Sequence, residues 1–151
     1  MKIEETLKNR PSSLPGRLTN DKNKGSGADV KVFRNKLMQV EYDNYTEKLN
    51  SLAERIFEQS KKLEKQMDIR EYVVYKRFIS EFLNEYVNNS YKFSKQTMMD
   101  RRGRYRTFSM VKKINSELDN LANELLSEQK DNFKVLKSLD YIKGLILDIF
   151  L

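Results

Sequence analysis

The stretch from Ala28 to Arg102 contains neither glycine nor proline, although the chain of 151 residues has five glycines and two prolines. Glycine and proline disfavour helix interiors most strongly, so their absence, with abundant Glu, Lys, Leu, Arg and Gln, favours helix throughout. Apolar residues here advance mostly in steps of three, four or seven, which is the spacing of one helix face; they are Phe33, Leu37, Val40, Tyr45, Leu49, Leu52, Ile56, Leu63 and Met67. The pattern predicts a first helix that begins at a cap on Asp29.

A second apolar set starts at Ile69 and predicts a second helix, with a break near Gln66–Asp68. Asp68 followed three residues later by Glu71 has the spacing of a capping box, with Asp in place of Ser or Thr. One uninterrupted helix across this point is the alternative. The Asn-Asn-Ser run at residues 88–90 is a further candidate for a helix end or kink.

The last forty residues carry a seven-residue repeat. Val111, Leu118, Leu125, Asn132, Leu139 and Ile146 are seven apart, and Ile114, Leu121, Glu128, Val135, Ile142 and Ile149 follow each of them by three. Because ten of these twelve positions are apolar, the repeat predicts a coiled-coil-like seam along one long last helix. The polar exceptions, Glu128 and Asn132, either fix register or oligomeric state or mark a bend that turns both to solvent.

These elements predict an all-α protein, namely an elongated antiparallel helical bundle with long coiled-coil-like helices. Residues 29–151 form the single bundle domain in this interpretation. Residues 1–28 hold both prolines, three of the five glycines and many polar residues, which predicts a flexible N-terminal tail. Folding of the tail on a partner is the alternative. The apolar ending, residues 145–151, either caps the core or docks a partner, and Gly144 marks either a close helix crossing or a fraying point.

Composition limits the chemistry. The chain has no Cys, His or Trp, which excludes disulfides, thiolate nucleophiles and histidine bases or ligands. No phosphate-binding glycine loop is present. We therefore expect no enzyme, no cofactor and no metal site. No stretch approaches the ~20 apolar residues that a membrane helix needs, and no apolar run of signal-peptide length opens the chain, so a cytoplasmic protein with no membrane partner is expected.

The net charge of +7 is concentrated locally. Residues 99–113 hold six basic residues against one acidic, whereas residues 114–151 hold four against seven. The six are Arg101, Arg102, Arg104, Arg106, Lys112 and Lys113. The arginines precede the start of the last helix, where the helix dipole disfavours cations, so an anion is expected there.

Three interpretations of this basic cluster stay open. A carboxylate from a neighbouring helix can pair with it, or the side chains can simply be solvated. Nucleic acid is the second, because Tyr105 and Phe108 could stack on bases between the basic residues. An acidic protein or a phosphorylated ligand is the third. A second set of aromatics, in contrast, has helical spacing and is expected to pack rather than to form a stacking stripe; it comprises Tyr72, Tyr75, Tyr86, Tyr91 and Phe93.

Two runs in the last third resemble a known family. RRGRYRTFSMVKKINSELDNLANELL, at residues 101–126, and IKGLILDIF, at residues 142–150, are similar to the YaaR family, a group of bacterial domains of unknown function. The resemblance implies a bacterial, cytoplasmic and mostly helical protein, and it brings no catalytic residue with it.

The sequence therefore predicts a non-enzymatic helical protein that acts by binding another macromolecule. A protein-protein interaction or scaffold module that self-associates, as a homodimer for example, is the first expectation. Binding of nucleic acid or a phosphate ligand through residues 101–113 is the alternative.

Overall fold

The computed structural model of the chain describes residues 14–97 and 101–151, with side-chain burial described for residues 27–90, 92 and 102–151. The described residues form helices and no strand, so the predicted all-α class is confirmed. The helices are α1 (Leu14–Lys65), α2 (Ile69–Thr97), α3 (Arg101–Leu126) and α4 (Asn132–Ile149).

The first helix starts earlier than predicted. It begins at Leu14, so the expected start and cap at Asp29 are wrong. Pro15 lies in the first turn, where its missing N–H removes no helical hydrogen bond. The chain divides into two compact units, with the boundary after Asn44. The tail proposed for residues 1–28 stays a prediction, since residues 1–13 lie outside the described part of the chain.

In the second unit, residues 45–151, α1 and α2 run antiparallel. Lys48 forms a 3.0 Å ion pair with Glu85 at one end of the two helices. Towards the other end, the Gln59 amide donates to the backbone carbonyl of Glu71 at 3.0 Å and to its carboxylate at 2.6 Å. The order of these contacts along the two helices fixes their opposite directions.

The next two helices continue the same alternation. Between α2 and α3, the Tyr72 hydroxyl donates to the Leu118 carbonyl at 2.9 Å, and further along α2 the Tyr86 hydroxyl is 3.4 Å from that of Thr107. Between α3 and α4, the Ser138 hydroxyl donates to the Glu117 carboxylate at 2.7 Å, and Arg106 donates to the Asp148 carbonyl at 3.3 Å. Lys143 of α4 lies over the Phe57 ring of α1, 5.5 Å from its centroid, which brings the last helix back to the first. The second unit is therefore an antiparallel helical bundle.

One core fills this bundle, and every helix contributes to it. Its largest fully buried side chains are Ile56, Leu63, Tyr75, Ile79, Phe82, Ile114, Leu118, Leu121, Val135, Leu139, Ile142 and Ile146. These residues recur at helical spacing, so each helix turns one apolar face inward.

The single long last helix predicted from the heptad repeat is wrong. α3 ends at Leu126 and α4 begins at Asn132, so the repeat runs through a turn between two antiparallel helices. Glu128 is exposed within that turn. Asp131 caps α4, because its side chain accepts a hydrogen bond from the Phe133 N–H at 3.0 Å. The repeat did identify buried residues: eight of its ten apolar positions are in the core, the other two being half-buried.

The predicted break near Gln66–Asp68 is confirmed, and the uninterrupted helix is excluded. The Asp68 carboxylate accepts from the Arg70 N–H at 3.3 Å, as a cap does. The Glu71 half of the capping box is not seen, since that carboxylate is bound by Gln59. The predicted end at residues 88–90 is wrong, because α2 continues through them to Thr97.

The apolar ending of the chain caps the core, as one of the two interpretations expected. Leu145 and Ile146 are buried, and the Phe150 ring lies 6.1 Å from the Phe82 ring, tilted by 57°. Both interpretations of Gly144 are wrong. A Cβ added there would meet no atom within 4 Å, so no helix crosses closely, and α4 continues to Ile149.

Candidate functional site

The basic cluster lies on the first half of α3. This helix begins at Arg101, so the predicted placement of the arginines ahead of a helix start is wrong, and all six basic residues are helical. The first turn of the helix holds no acidic residue. The side chains of five are exposed, namely Arg102, Arg104, Arg106, Lys112 and Lys113. The side chain of Arg101 lies outside the described part of the chain. The core-facing row of α3 starts at Met110, and the five described side chains of the cluster lie on the solvent side.

Two aromatic rings share this exposed side. Tyr105 and Phe108 are both exposed and lie between the basic residues in sequence. An open groove of about 500 Å³ runs between α3 and α4 beside them. Its lining includes Tyr105, Phe108, Lys112, Lys113, Glu117 and, from α4, Tyr141. Flat rings next to ammonium groups are a combination that can hold an anionic, partly planar ligand.

Within the described part of the cluster, Arg106 contacts a backbone atom of a neighbouring helix. Arg106 Nη2 donates to the Asp148 carbonyl oxygen of α4 at 3.3 Å. Carbonyls at a helix C-terminus carry partial negative charge, which makes this a suitable place for a cation. Lys48 and Glu85, which form an ion pair at 3.0 Å, lie far from the cluster in sequence. The assignment of the six basic residues to an anion site stays a prediction.

Two tyrosines near the start of α2 serve packing. Tyr72 and Tyr75 are buried, as the helical spacing predicts. Desolvation, with the negative charge of Asp119 adding to it, raises the pKa of Tyr72. Burial also raises the pKa of Tyr75, with Glu64 adding to the shift. Burial therefore favours the neutral form of both phenols, as is usual for tyrosines packed in a core.

The other three aromatic residues of that set are half-buried or have side chains outside the described part of the chain. Tyr86 is half-buried, and its hydroxyl is 3.4 Å from the Thr107 hydroxyl of α3. The side chains of Tyr91 and Phe93 lie outside the described residues. Within the described part of the chain, no group of three acidic residues is placed to hold a metal ion.

One exposed apolar surface, on the first helix, was not predicted from the sequence. Phe33, Leu37 and Val40 belong to the apolar face predicted for the first helix. All three are exposed in the structure, and so is Val30 one turn earlier. We call these four residues the α1 stripe. The sequence does contain an indication that this row is separate from the later apolar residues. The step from Val40 to Tyr45 is five residues, which interrupts the spacing of three and four. Spacing identifies a helix face, but it does not say what covers that face.

The chain is similar to proteins of one bacterial family. A family model described as "Protein of unknown function (DUF327)" matches residues 10–150. The chain belongs to the DUF327 family. It is also 26% identical over 90 residues to "Uncharacterized protein YaaR" of Bacillus subtilis (strain 168). The resemblance to the YaaR family is thereby confirmed.

The alignment with that curated relative covers 60% of this chain and 62% of the relative, so the chain spans less than two thirds of its length. Two solved structures share the helical arrangement of this DUF327 chain. One is the uncharacterized protein BH1478 from Bacillus halodurans, with a TM-score of 0.62 at 26% identity, covering 72% of this chain and 89% of that one.

The other is Moevan, a designed granulopoietic protein made by topological rescaffolding, with a TM-score of 0.65 at 22% identity over 72% of this chain and 93% of that one. At that identity the likeness shows the fold alone. Membership of DUF327 adds no residue role to the basic cluster or the α1 stripe. Among the described helices, none is long and apolar enough to cross a membrane.

Proposed function

We propose that this DUF327 chain is a non-enzymatic protein-interaction module of the bacterial cytoplasm that self-associates through the α1 stripe. The observation that carries the proposal is the exposure of four large apolar side chains at helical spacing. Val30 is 60% exposed, Phe33 67%, Leu37 50% and Val40 55%. Contiguous exposed apolar rows on soluble proteins typically mark interaction surfaces.

The composition of the same helix supports this proposal. Gly25 and Gly27 lie in the interior of α1, where each costs about 1 kcal/mol relative to alanine. Isolated helices are marginal in water, and most helical stability comes from packing an amphipathic face. Burying the α1 stripe against protein would therefore stabilise this part of α1.

The decisive experiment compares two valines on the same helix. Val40 belongs to the α1 stripe, whereas Val32 lies off it and is 52% exposed, much like Val40. We expect the whole chain to associate with rising concentration in sedimentation velocity. Val40→Lys should weaken this association about tenfold or more, because it places a charge in an apolar contact, and Val32→Lys should leave it unchanged. Equal behaviour of the two variants, or a wild-type monomer at every concentration, would contradict the proposal.

Anion binding by the basic cluster is the second candidate function. It is favoured by the groove in which Lys112 and Lys113 lie beside the exposed rings of Tyr105 and Phe108. A single-stranded nucleic acid matches this surface best, because its phosphates suit the ammonium groups and its bases can stack on the rings.

Salt dependence tests the second candidate. We expect fluorescently labelled single-stranded RNA to bind at low salt, with an affinity that falls linearly on a log–log plot against salt. Lys112→Glu with Lys113→Glu should weaken binding and reduce the slope by about 1.4, the loss of two single-strand phosphate contacts. The control is Lys61→Glu with Lys62→Glu, an exposed adjacent pair on α1. Absence of binding at low salt, or an equal effect of both pairs, would exclude this function.

A further inference from the structure

The α1 stripe fits the heptad frame of a two-stranded coiled coil. Val30 and Leu37 take the a positions and Phe33 and Val40 the d positions, so the four side chains fill two successive heptads. We propose that residues 29–44 of two copies pair as a parallel, in-register coiled coil. This inference rests on the proposed self-association and specifies its geometry.

The charges beside the stripe support the parallel direction. In a parallel pair, each g residue faces the e residue five positions later in the other helix. Asp29 then faces Arg34 of the second copy, and Lys36 faces Glu41 of the second copy. Both are pairs of opposite charge, and the two-fold symmetry repeats each of them on the other side of the seam. Four attractive contacts therefore flank two apolar heptads.

The antiparallel direction has the opposite electrostatics. If two antiparallel helices keep all four stripe residues in the seam, g residues face g residues and e residues face e residues. Lys36 then faces Lys36 of the second copy, Arg34 faces Arg34, and Asp29 faces Asp43. All of these pairs repel. The charge pattern of this segment thus selects one direction for the arrangement that buries the whole stripe.

Asn44, which follows the α1 stripe, supports a pair of helices in register. Asn44 occupies the next a position and is exposed in the structure. An asparagine at a single a position bonds best to the same asparagine of a second helix, which fixes register and favours a dimer at some cost in stability. With only two apolar heptads and this polar position, the interface is small, so a reversible dimer is expected and not a permanent one.

Charge exchange at one pair of positions tests the inference in the full chain. Lys36→Glu and Glu41→Lys each place two like-charge pairs across the parallel seam, so each should weaken dimerisation about tenfold. The double variant restores opposite charges and should regain wild-type affinity. Mixing the two single variants should give a heterodimer tighter than either homodimer. Lys31→Glu, at an outer b position, is the matched control and should leave the dimer unchanged. Sedimentation equilibrium measures each affinity.

A cysteine placed in the seam tests the direction independently. The chain has no cysteine, so Val40→Cys introduces a single thiol at a d position. In a parallel, in-register pair the two copies of this thiol are close enough for a disulfide. Mild oxidation should cross-link Val40→Cys chains rapidly and Val32→Cys chains slowly. Circular dichroism confirms that each variant keeps its helices, which is expected because every substituted side chain is exposed or half-buried.

The outcomes separate this inference from the proposal on which it rests. A wild-type chain that is monomeric at every concentration overturns both. A dimer that Val40→Lys disrupts but that charge exchange does not rescue overturns the parallel register and leaves self-association intact. Cross-linking of Val40→Cys no faster than that of Val32→Cys overturns the register as well. Rescue by the double variant together with rapid cross-linking establishes it.

Discussion

At the scale of single residues, Asp131 decides where the last helix starts. Its carboxylate accepts from the Phe133 N–H, and its own backbone N–H donates to the Glu124 carboxylate at 2.9 Å. The Lys130 ammonium donates to the Met67 carbonyl at 3.0 Å, which joins this turn to the one between α1 and α2. Three neighbouring polar contacts therefore fix a turn that contains neither glycine nor proline.

Loss of the Asp131 cap should be measurable. We expect Asp131→Ala to lower the free energy of unfolding by about 1 kcal/mol, because a helix N–H loses its acceptor. Asp131→Asn should retain most of the stability, since asparagine caps helices comparably well. Urea denaturation of both variants gives the comparison. Asp140→Ala, at an exposed position within α4, should change stability little, and an equal loss there would argue against a capping role.

Gly144 is a position where a substitution should raise the stability of the protein. It lies within α4, and a methyl group there would enter open space. Gly144→Ala should raise the free energy of unfolding by about 0.5–1 kcal/mol, because alanine loses less backbone entropy in a helix. Chemical denaturation checks this increase. A decrease would mean that a neighbouring group needs the space.

At the scale of elements, α3 shows how one helix divides its side chains between core and solvent. Leu118, Leu121 and Leu125 are buried, and the next leucine, Leu126, is exposed. The difference follows from the helical rotation of about 100° per residue, which turns consecutive residues to different faces.

Two leucines of α3 give a matched comparison. Leu121→Ala should lower the free energy of unfolding by about 2–5 kcal/mol, because it leaves a cavity among closely packed neighbours. Leu126→Ala should change it by less than about 0.5 kcal/mol, as exposed substitutions usually do. Denaturant titrations measure both. Similar losses in the two variants would mean that α3 is rotated about its axis relative to the described packing.

The helix breaks explain what sequence reasoning could and could not locate. The break at residues 66–68 was found because Asp68 caps the following helix and the apolar row restarts at Ile69. The turn at residues 127–131 was missed because its five residues preserved the seven-residue spacing from Leu125 to Leu139. Polar residues from Ser127 to Asn132 were the available signal. Periodicity predicts which residues are buried, but two antiparallel helices can carry the same repeat as one.

The basic cluster and the α1 stripe also differ in how far the sequence predicts them. The exposure of the five described basic side chains on α3 agrees with their charge, since arginine and lysine are almost never fully buried without a partner. The exposure of the α1 stripe did not follow from its composition, because Phe33 and Leu37 are residues that normally seek a core. Which helix faces find a partner is decided by contacts between distant parts of the chain, and local spacing does not contain that information.

At the scale of the whole molecule, burial of two phenols links stability to alkaline pH. The pKa values of Tyr72 and Tyr75 are raised above 10.0, their ordinary value. The unfolded chain therefore releases these protons before the folded chain does. The stabilisation is fully present well below pH 10 and is lost as the pH rises through the raised values.

We therefore expect the free energy of unfolding to fall more steeply with pH above 10 in the wild type than in Tyr72→Phe with Tyr75→Phe. Tyr105→Phe, which alters an exposed phenol, should keep the wild-type slope. Urea titrations at a series of alkaline pH values provide the data. A double variant with an unchanged slope would show that other groups control alkaline unfolding.

The turn between α3 and α4 also has a consequence for how the family can vary. Nine consecutive residues, from Leu126 to Lys134, are exposed, so no core side chain depends on their number. The entropy of closing a surface turn grows only slowly with its length. Insertions here would leave both helices in register with their neighbours, whereas an insertion inside α3 or α4 would rotate the buried face away from the core. Among relatives, length differences should therefore collect at this turn and leave the heptad positions on either side aligned.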